Sequence, residues 1–149
     1  MASLNPPAAP GLTAHLEADL NSSRQPAATR ICKVVFPSET NHYGTMFGGK
    51  LLELADEAAF IAATRHAKLS VVTASAERTD FLEPIRQGDI VEFIARVEKV
   101  GRSSLRVRVD IYREHPFIGS PTLAATSYFN MVAKDADGKS AAVPPLEGA

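Results

Sequence analysis

The sequence predicts an α+β protein in which a mostly antiparallel, five-stranded sheet curves around one long helix. The first observation is the order of segments: one strand-like run, one long run rich in Ala and Leu, and then four more strand-like runs. The second is that two of these runs alternate polar and apolar residues and are joined by a short link containing Gly, which is typical of an antiparallel hairpin. A single helix cannot cover both faces of a parallel sheet, so an antiparallel sheet is favoured.

Length and composition indicate one soluble globular domain. The chain has 149 residues, of which 45% are hydrophobic and 22% charged, and its net charge is −1. A net charge this close to zero produces no overall electrostatic field that would favour binding to nucleic acid or to an anionic membrane. The single cysteine, Cys32, excludes an intrachain disulfide and a cysteine cluster for structural zinc. Because Cys32 falls in a predicted strand, we expect a buried and inert thiol.

The first 28 residues are predicted to form a flexible arm, and residues 29–149 the folded domain. The arm carries four prolines and few large apolar groups, so it cannot bury enough surface to offset its ordering entropy. It has no basic start followed by an apolar stretch, which argues against a secretory signal. The longest apolar run, residues 58–63, is too short to cross a bilayer. We therefore predict a cytoplasmic protein.

Residues 31–36 form the first predicted strand, which Pro37 ends. The helix is predicted to begin near Phe47 and to run for about 18 to 20 residues, because Ala and Leu are good helix formers and no Pro or Gly follows Gly49. It is apolar around much of its circumference, so we expect it to be covered on most sides.

Four strands are predicted after the helix, over residues 71–78, 91–98, 105–112 and 123–133. Turns are predicted around Pro84 and residues 87–89, at the Gly101 link and at residues 136–138, where Gly, Asp and Pro cluster. The last three strands follow one another like a meander. Residues beyond Pro144 are predicted to be irregular.

Asp56 is the most informative single residue, because it is a carboxylate in the middle of an apolar helix. It lies on one stripe with Glu53 and Glu57, and no basic residue lies among the three. Crowding and partial burial both raise a carboxyl pKa, as a general base requires. The alternative is an ion-paired or capping carboxylate on a solvated stripe.

The loop before the helix is rich in glycine. Residues 44–50 match seven positions of a phosphate-binding P-loop, but Leu51 stands where the motif needs Ser or Thr to hold magnesium. A nucleoside-triphosphatase is therefore disfavoured. What remains is a flexible backbone that enters a helix N-terminus, where free N–H groups favour an anion or a developing negative oxygen.

Other residues give weaker predictions. Asn41 is either an ordinary turn residue or an amide that contacts a carbonyl or a water. The histidines have no partners at metal-ligand spacing, so no metal is predicted, and no Gly-x-Ser-x-Gly motif indicates a serine hydrolase. The turn at residues 99–104 is either a solvated hairpin end or a phosphate-binding turn, since its cations and hydroxyls surround a glycine: Lys99, Gly101, Arg102, Ser103 and Ser104.

The motif Asn41-x-x-Gly44-x-x-Phe47-Gly48-Gly49, followed by Asp56, resembles the hotdog-fold acyl-CoA thioesterases of the acyl-CoA thioester hydrolase family. The resemblance covers residues 30–146 and continues through these segments: Thr79-Asp80-Phe81-x-x-Pro84, Gly88-Asp89, Lys99-Val100-Gly101-Arg102-Ser103-Ser104, Val132-Ala133-x-Asp135-x-x-Gly138 and Val143-Pro144-Pro145-Leu146.

The resemblance implies a hotdog fold and hydrolysis of acyl-CoA to a free acid and CoA, without metal or cofactor. It also implies a homodimer with a continuous sheet and sites at the interface, assembled further into a hexamer as a trimer of dimers. Asp56 would be the general base or nucleophile, and Asn41 would position the water or the thioester. Backbone N–H groups at Gly48 or Gly49 would polarise the carbonyl.

The resemblance also implies that the turn at residues 99–104 binds CoA through Arg102, Ser103 and Ser104, with Lys99 and Gly101 beside them. Lys50 departs from the family pattern, in which a bulky aromatic residue is common. We expect that position to flank the acyl pocket.

Two other functions are weighed against hydrolysis. A hotdog dehydratase needs a His base, and no His precedes this helix in a suitable Pro-Gly context. A non-enzymatic acyl-CoA sensor would need a DNA-binding domain, and the first 28 residues are too short and too polar to supply one.

Overall fold

The computed structural model describes residues 27–147, so all but the last two residues of the predicted arm at residues 1–28 lie outside the described residues. Five strands form one antiparallel sheet in the order β1-β3-β4-β5-β2, and one long helix, α1, packs against it. The strands are β1 (Thr29–Val34), β2 (Ser70–Phe81), β3 (Ile90–Val100), β4 (Ser104–His115) and β5 (Ile118–Lys134). The predicted fold class is confirmed.

Helix α1 spans Gly48–Ala67, as predicted to within one residue at its start. Its last turn carries Arg65, whose positive charge suits the negative end of the helix dipole. The helix ends at Lys68, which adopts a left-handed conformation with φ of 55° and donates its N–H to the carbonyl of Thr64.

The hydrophobic core lies between α1 and the sheet, because alternate side chains of each strand face the helix. The inward residues of β3 and β4, such as Phe93, Val107 and Ile111, are fully buried. The helix face that meets them consists mainly of alanines, whose small side chains let the helix lie close to the sheet. The buried helix residues are Leu51, Ala55, Ala58, Ala59, Ala62, Ala63 and Ala67.

The expectation that α1 is covered on most sides is wrong for the single chain. Only the face toward the sheet is buried, and Phe60 on another face is 45% exposed. Next to that open face runs β2, an edge strand whose residues from Val72 to Arg78 are exposed. One sheet can cover only one side of a helix, so among residues 27–147 an apolar surface remains open.

Two predictions about β1 are also wrong. The strand ends at Val34 rather than Phe36, because Val35 instead pairs with the turn at Gly88 and Asp89. Cys32 is exposed rather than buried, since its side chain faces outward on an edge strand. Burial in its immediate surroundings and the nearby Glu92 carboxylate raise the pKa of this thiol.

No helix within residues 27–147 is long and apolar enough to span a membrane.

Candidate active site

The carboxylate of Asp56 lies half-buried at the side of α1 that faces β2. The hydroxyl of Thr73 donates a hydrogen bond of 2.7 Å to its Oδ1. The same hydroxyl lies 3.3 Å from the sulfur of Met131, a much weaker acceptor. Among residues 27–147, no donor binds Oδ2 of Asp56, so one carboxylate oxygen is held and the other is open.

The carboxylate stripe differs from the sequence expectation in one respect. Lys50 forms an ion pair of 3.3 Å with Glu53, three residues further along the helix. The stripe therefore includes a cation, and the prediction that no basic residue accompanies the three carboxylates is wrong for Glu53. Asp56 is distinguished instead by its partial burial and by its contact with Thr73, while Glu53 and Glu57 are exposed.

Asn41 closes the tight turn that precedes α1. Its Oδ1 accepts hydrogen bonds from the backbone N–H groups of Tyr43 (2.9 Å) and Thr45 (3.2 Å). Its Nδ2 donates to the hydroxyl of Thr45 at 2.9 Å. Gly44 takes a positive φ of 77° in the same turn, which favours glycine. The structure thus shows the turn role, and the second proton of Nδ2 has no acceptor among the described residues.

Glu39 anchors this loop to the sheet. Its carboxylate pairs with Lys33 of β1 and accepts the N–H of Phe36 at 3.1 Å, while its carbonyl accepts the N–H of Phe47 at 3.0 Å. The hydrogen bond from Lys33 is the largest cause that lowers the pKa of this carboxyl below its ordinary value of 4.5. These bonds fix the residue at which α1 begins.

The start of α1 offers unpaired backbone donors. The cap residue Phe47 provides no side-chain hydrogen bond, and the N–H groups of Gly48 and Gly49 meet no acceptor within residues 27–147. A Cβ at Gly48 would lie 3.3 Å from the ring of Phe81, whereas one at Gly49 would meet open space. Together with the helix dipole, these donors can stabilise a negative oxygen.

A mainly apolar cavity of about 370 Å³ opens beside Gly48. It lies between the start of α1 and the chain that links β2 to β3. Lys50, which the resemblance predicts to flank an acyl pocket, is not among the residues that line this cavity. The lining residues used below are Met46, Gly48, Leu51, Phe81, Leu82 and Ile85.

The helix start and Asp56 lie at separate places within one chain. α1 runs antiparallel to β2, so Gly48 lies by Phe81 while Asp56 lies by Thr73. Eight residues of α-helix separate Gly48 from Asp56, a rise of about 12 Å. This is too far for one carboxylate to act on an oxygen held by the Gly48 N–H.

The turn at residues 99–104 is a tight hairpin end with exposed cations. The N–H of Gly101 donates to the carbonyl of Ser104 at 2.8 Å, and the carbonyl of Arg102 accepts the N–H of Val143 at 2.8 Å. Lys99 and Arg102 are exposed and form no ion pair among the described residues. Lys99 and Gly101 line a cavity of about 330 Å³.

The sheet register brings this turn to the same end of the sheet as Asp56. Thr73 pairs with Met131, which pairs with Leu105, the residue after Ser104. Two strand spacings separate Thr73 from Leu105, or about 10 Å.

Thr73 is the site residue that the sequence reasoning missed. It stands in an ordinary strand of β-branched and small residues, and only the docking of α1 on β2 brings it to Asp56. Within residues 27–147, no group of three His, Cys, Asp or Glu side chains could hold a metal ion.

The sequence is similar to those of known proteins. The thioesterase superfamily matches residues 43–116. The uncharacterized acyl-CoA thioester hydrolase YkhA of Bacillus subtilis is 44% identical over 124 residues, which are 78% of this chain and 72% of that protein. A second relative, an uncharacterized acyl-CoA thioester hydrolase of Zymomonas mobilis, is 35% identical over 87% of this chain and 88% of its own length.

Solved structures are equally similar. An acyl-CoA hydrolase of Staphylococcus aureus, in complex with butyryl-CoA, CoA and CoA disulfide, is 45% identical. It aligns with a TM-score of 0.77 over 79% of this chain and 72% of its own. Variants of that enzyme with an Asn, an Asp or a Thr replaced by Ala have also been solved. An apo-hexameric acyl-CoA thioesterase is 39% identical, with a TM-score of 0.79 over 82% of this chain and 78% of its own.

The five-stranded sheet, its single long helix and these identities lead to the same conclusion: the chain belongs to the acyl-CoA thioester hydrolase family of the thioesterase superfamily.

Proposed function

We propose that this protein hydrolyses acyl-CoA to a free carboxylic acid and CoA, with Asp56 as the catalytic carboxylate. The observation that carries the proposal is the half-buried Asp56 carboxylate, which Thr73 holds by one oxygen while the other stays open. A thioester is already activated, so its hydrolysis needs a carboxylate and an oxyanion site rather than a full triad.

As a general base, Asp56 takes a proton from water while the hydroxide equivalent attacks the thioester carbon. The C–S bond then breaks, and the CoA thiolate leaves and takes up a proton. As a nucleophile, Asp56 would instead form an anhydride that water later cleaves. In both routes the backbone N–H of Gly48 or Gly49 binds the developing oxyanion, and the free Nδ2 proton of Asn41 orients the water or the thioester.

The spacing of residues supports these roles. In the Staphylococcus aureus hydrolase, the Asp that was replaced by Ala lies 15 residues after the replaced Asn, and the replaced Thr lies 17 after the Asp. Asn41, Asp56 and Thr73 have the same residue types at the same two spacings. Thr73 acts as a positioning residue, because it contacts the carboxylate rather than the reacting atoms.

The open side of the chain supports a homodimer with shared sites. Within residues 27–147 the outer edge of β2 has no strand partner, and the side chain of Phe60 on the neighbouring helix is 45% exposed. Pairing of β2 with β2 of a second copy would extend the sheet and cover these groups. An antiparallel partner helix would then bring its own Asp56 toward Gly48 and Asn41. A hexamer, as a trimer of such dimers, accords with relatives that are hexameric.

We assign the two ends of the substrate to two regions. The cavity of about 370 Å³ beside Gly48 takes the acyl group, since apolar side chains form most of its wall. The turn at residues 99–104 contacts the CoA phosphates or pantetheine arm through Arg102, Ser103 and Ser104, with Lys99 and Gly101 beside them. The reaction as written needs no metal and no cofactor besides the CoA of the substrate, and we assign it to the cytoplasm.

Release of free thiol from a panel of acyl-CoAs tests the proposal. A hydrolase releases CoA thiol from at least one member at a rate proportional to enzyme concentration. A dehydratase would consume only a hydroxyacyl-CoA and release no thiol. A sensing module would bind acyl-CoA and leave it intact, and either result would refute hydrolysis.

A further inference from the structure

The chain that follows β2, residues 82–85 (the wall segment), forms one side of the cavity of about 370 Å³ at the start of α1. Leu82, Pro84 and Ile85 give the cavity apolar surface, and Glu83 lines it as well. Ile85 is buried, whereas the other three residues are exposed. Most of the wall segment therefore lies at the protein surface, where hydrogen bonds rather than surrounding side chains keep it in place.

Backbone hydrogen bonds hold the two ends of the wall segment. The N–H groups of Leu82 and Glu83 both donate to the carbonyl of Ala124 in β5, at 2.8 and 3.1 Å. Ala124 lies at a β-bulge, where the β4–β5 register shifts, and bulges commonly end strand pairing beside a site. At the other end, the carbonyl of Ile85 accepts the N–H of Met46 at 2.7 Å.

Glu83 is the only residue of the wall segment with a polar side chain. Its Oε2 accepts the Nε–H of Arg113 at 3.1 Å and the hydroxyl of Thr122 at 2.9 Å. Arg113 and Thr122 are direct partners in the β4–β5 ladder, so one carboxylate oxygen binds two neighbouring strands. The hydrogen bonds from Thr122 and Arg113 lower the pKa of the Glu83 carboxyl below its ordinary value of 4.5.

Arg113 lies on the face of the sheet that packs against α1. It pairs with the buried Val91 and follows the buried Ile111 by two residues, so the three side chains share one face. Its Nη1 also lies 3.6 Å from Oδ2 of Asp89, which is 2% exposed and accepts the N–H of Arg86 at 2.9 Å. Because Asp89 is a second partner, removal of Glu83 leaves the charge of Arg113 compensated.

We propose that Glu83 is a positioning residue for acyl selectivity: by binding Arg113 and Thr122 it holds the wall segment against the sheet and limits the length of the acyl chain that the cavity admits. This inference rests on the proposed function, since it takes the cavity as the acyl site. A fixed wall favours the chain that fills the cavity and disfavours longer chains, because it does not yield to extra methylene groups. A wall that is held less firmly yields, and discrimination falls.

Hydrogen exchange on the full-length protein measures the hold on the wall segment without reference to hydrolysis. In Glu83→Ala, the amides of Leu82 and Met46 should exchange about threefold faster or more, the scale of a lost exposed charged contact. Thr122→Val removes one donor to Glu83 and should change exchange in the same direction, whereas Thr122→Ser keeps the hydroxyl and should match wild type. Unchanged exchange at both amides in Glu83→Ala and Thr122→Val would overturn the proposal.

Chain-length selectivity is measured as kcat/KM for saturated acyl-CoAs of increasing length. In wild type this value should fall beyond the length that fills the cavity. In Glu83→Ala the ratio between the best chain and the next longer chain should shrink by about threefold or more, whereas a merely structural lesion lowers all values by one factor. Glu92→Ala is the matched control, since Glu92 is ion-paired with Arg30 on the opposite face of the sheet. A Glu83→Ala profile parallel to that of wild type would overturn the proposal.

The two measurements separate this proposal from the proposed function. If wild type releases no thiol from any acyl-CoA, hydrolysis is refuted, and the ratio is measured instead as affinity for free saturated fatty acids of the same lengths. The exchange result holds in either case. Faster exchange in Glu83→Ala with an unchanged ratio would mean that Glu83 holds the wall segment without setting selectivity, and this would overturn the proposal.

Discussion

The hydroxyl of Thr73 on β2 donates a hydrogen bond of 2.7 Å to the carboxylate of Asp56 on α1, across the groove between the helix and the edge strand. Because the hydroxyl approaches Oδ1 only, it fixes the carboxylate and leaves Oδ2 available to a water. Thr73→Val keeps the shape of the side chain and removes this donor. We expect kcat to fall by about tenfold while KM for acyl-CoA changes little, since the substrate itself is not contacted.

Thr73→Ser is the matched control, because it restores the donor. Recovery of most of the lost kcat in Thr73→Ser would identify the hydroxyl as the positioning group. Equal losses in the Val and Ser variants would instead assign the effect to packing against Met131, and the positioning role would be refuted.

Glu39 gives a prediction about stability and pH. The Lys33 hydrogen bond lowers the pKa of its carboxyl in the folded protein below the ordinary value of 4.5, so the ionised form stabilises the fold. This contribution is fully present above the unfolded pKa and is lost as pH falls through the lower, folded pKa. Glu39→Gln should therefore lower the free energy of unfolding at pH 7 by roughly 1 kcal/mol, which is the typical contribution of a partly buried hydrogen bond to a charged group.

Urea unfolding at a series of pH values measures this difference. The stability gap between wild type and Glu39→Gln should be constant from neutral pH to about pH 5 and shrink only below the ordinary carboxyl pKa. A gap that is the same at pH 3 and pH 7 would show that the charge of Glu39 contributes nothing.

Much of the fold follows from local sequence. The alternation in β3 and β4 and the glycine between them predict the hairpin, and the run of Ala and Leu predicts α1 to within one residue at Phe47. The end of β2 and the start of β5 could not be predicted, because the strands extend through residues of low strand preference: Asp80 in β2, and Gly119 and Pro121 in β5.

The site is less accessible to sequence reasoning. Asp56 is conspicuous because a carboxylate interrupts an apolar helix, and Asn41 because its motif contains several glycines. Thr73 gives no such signal, because its role comes from a tertiary contact between α1 and β2. The local sequence does not determine how these two elements pack against each other. The prediction that Cys32 is buried was wrong for a related reason. Successive side chains of a strand face opposite sides of the sheet, but the sequence of β1 does not determine which of the two sides is covered.

Arg102 tests the assignment of the turn. Arg102→Ala should raise KM for acyl-CoA severalfold with much less effect on an acyl-pantetheine that lacks the nucleotide phosphates, and the effect should weaken as salt screens an exposed charge. Steady-state kinetics with both substrates at low and high salt measure it, with Lys139→Ala as the control for loss of an exposed cation. Equal changes in KM for the two substrates would mean that the turn does not bind phosphate.

An active site formed by residues from both protomers of a dimer predicts that two inactive variants complement each other. Asn41→Ala and Asp56→Ala proteins should each be poorly active, but unfolding them together and refolding should restore activity. In a mixed dimer one site carries both lesions and the other neither, and random mixing makes about half the dimers mixed. About a quarter of wild-type activity should therefore return.

Subunit exchange must be verified with mass-tagged chains before the result is interpreted. Separately refolded variants, mixed only afterwards, serve as the control without exchange. If mixed dimers form and no activity returns, Asn41 and Asp56 of the same chain serve one site.

The turnover of Asp56→Asn tests the central claim most directly, with free thiol released at saturating acyl-CoA as the readout. Asn preserves the shape of the side chain and cannot accept the proton. We predict a folded protein that binds acyl-CoA and whose kcat is lower by about a hundredfold or more, the scale of a lost general base. The matched variants Glu53→Gln and Glu57→Gln, on the same helix, should stay near wild-type activity. A folded Asp56→Asn protein with near-wild-type turnover would contradict the account and transfer the catalytic role to Glu53 or Glu57.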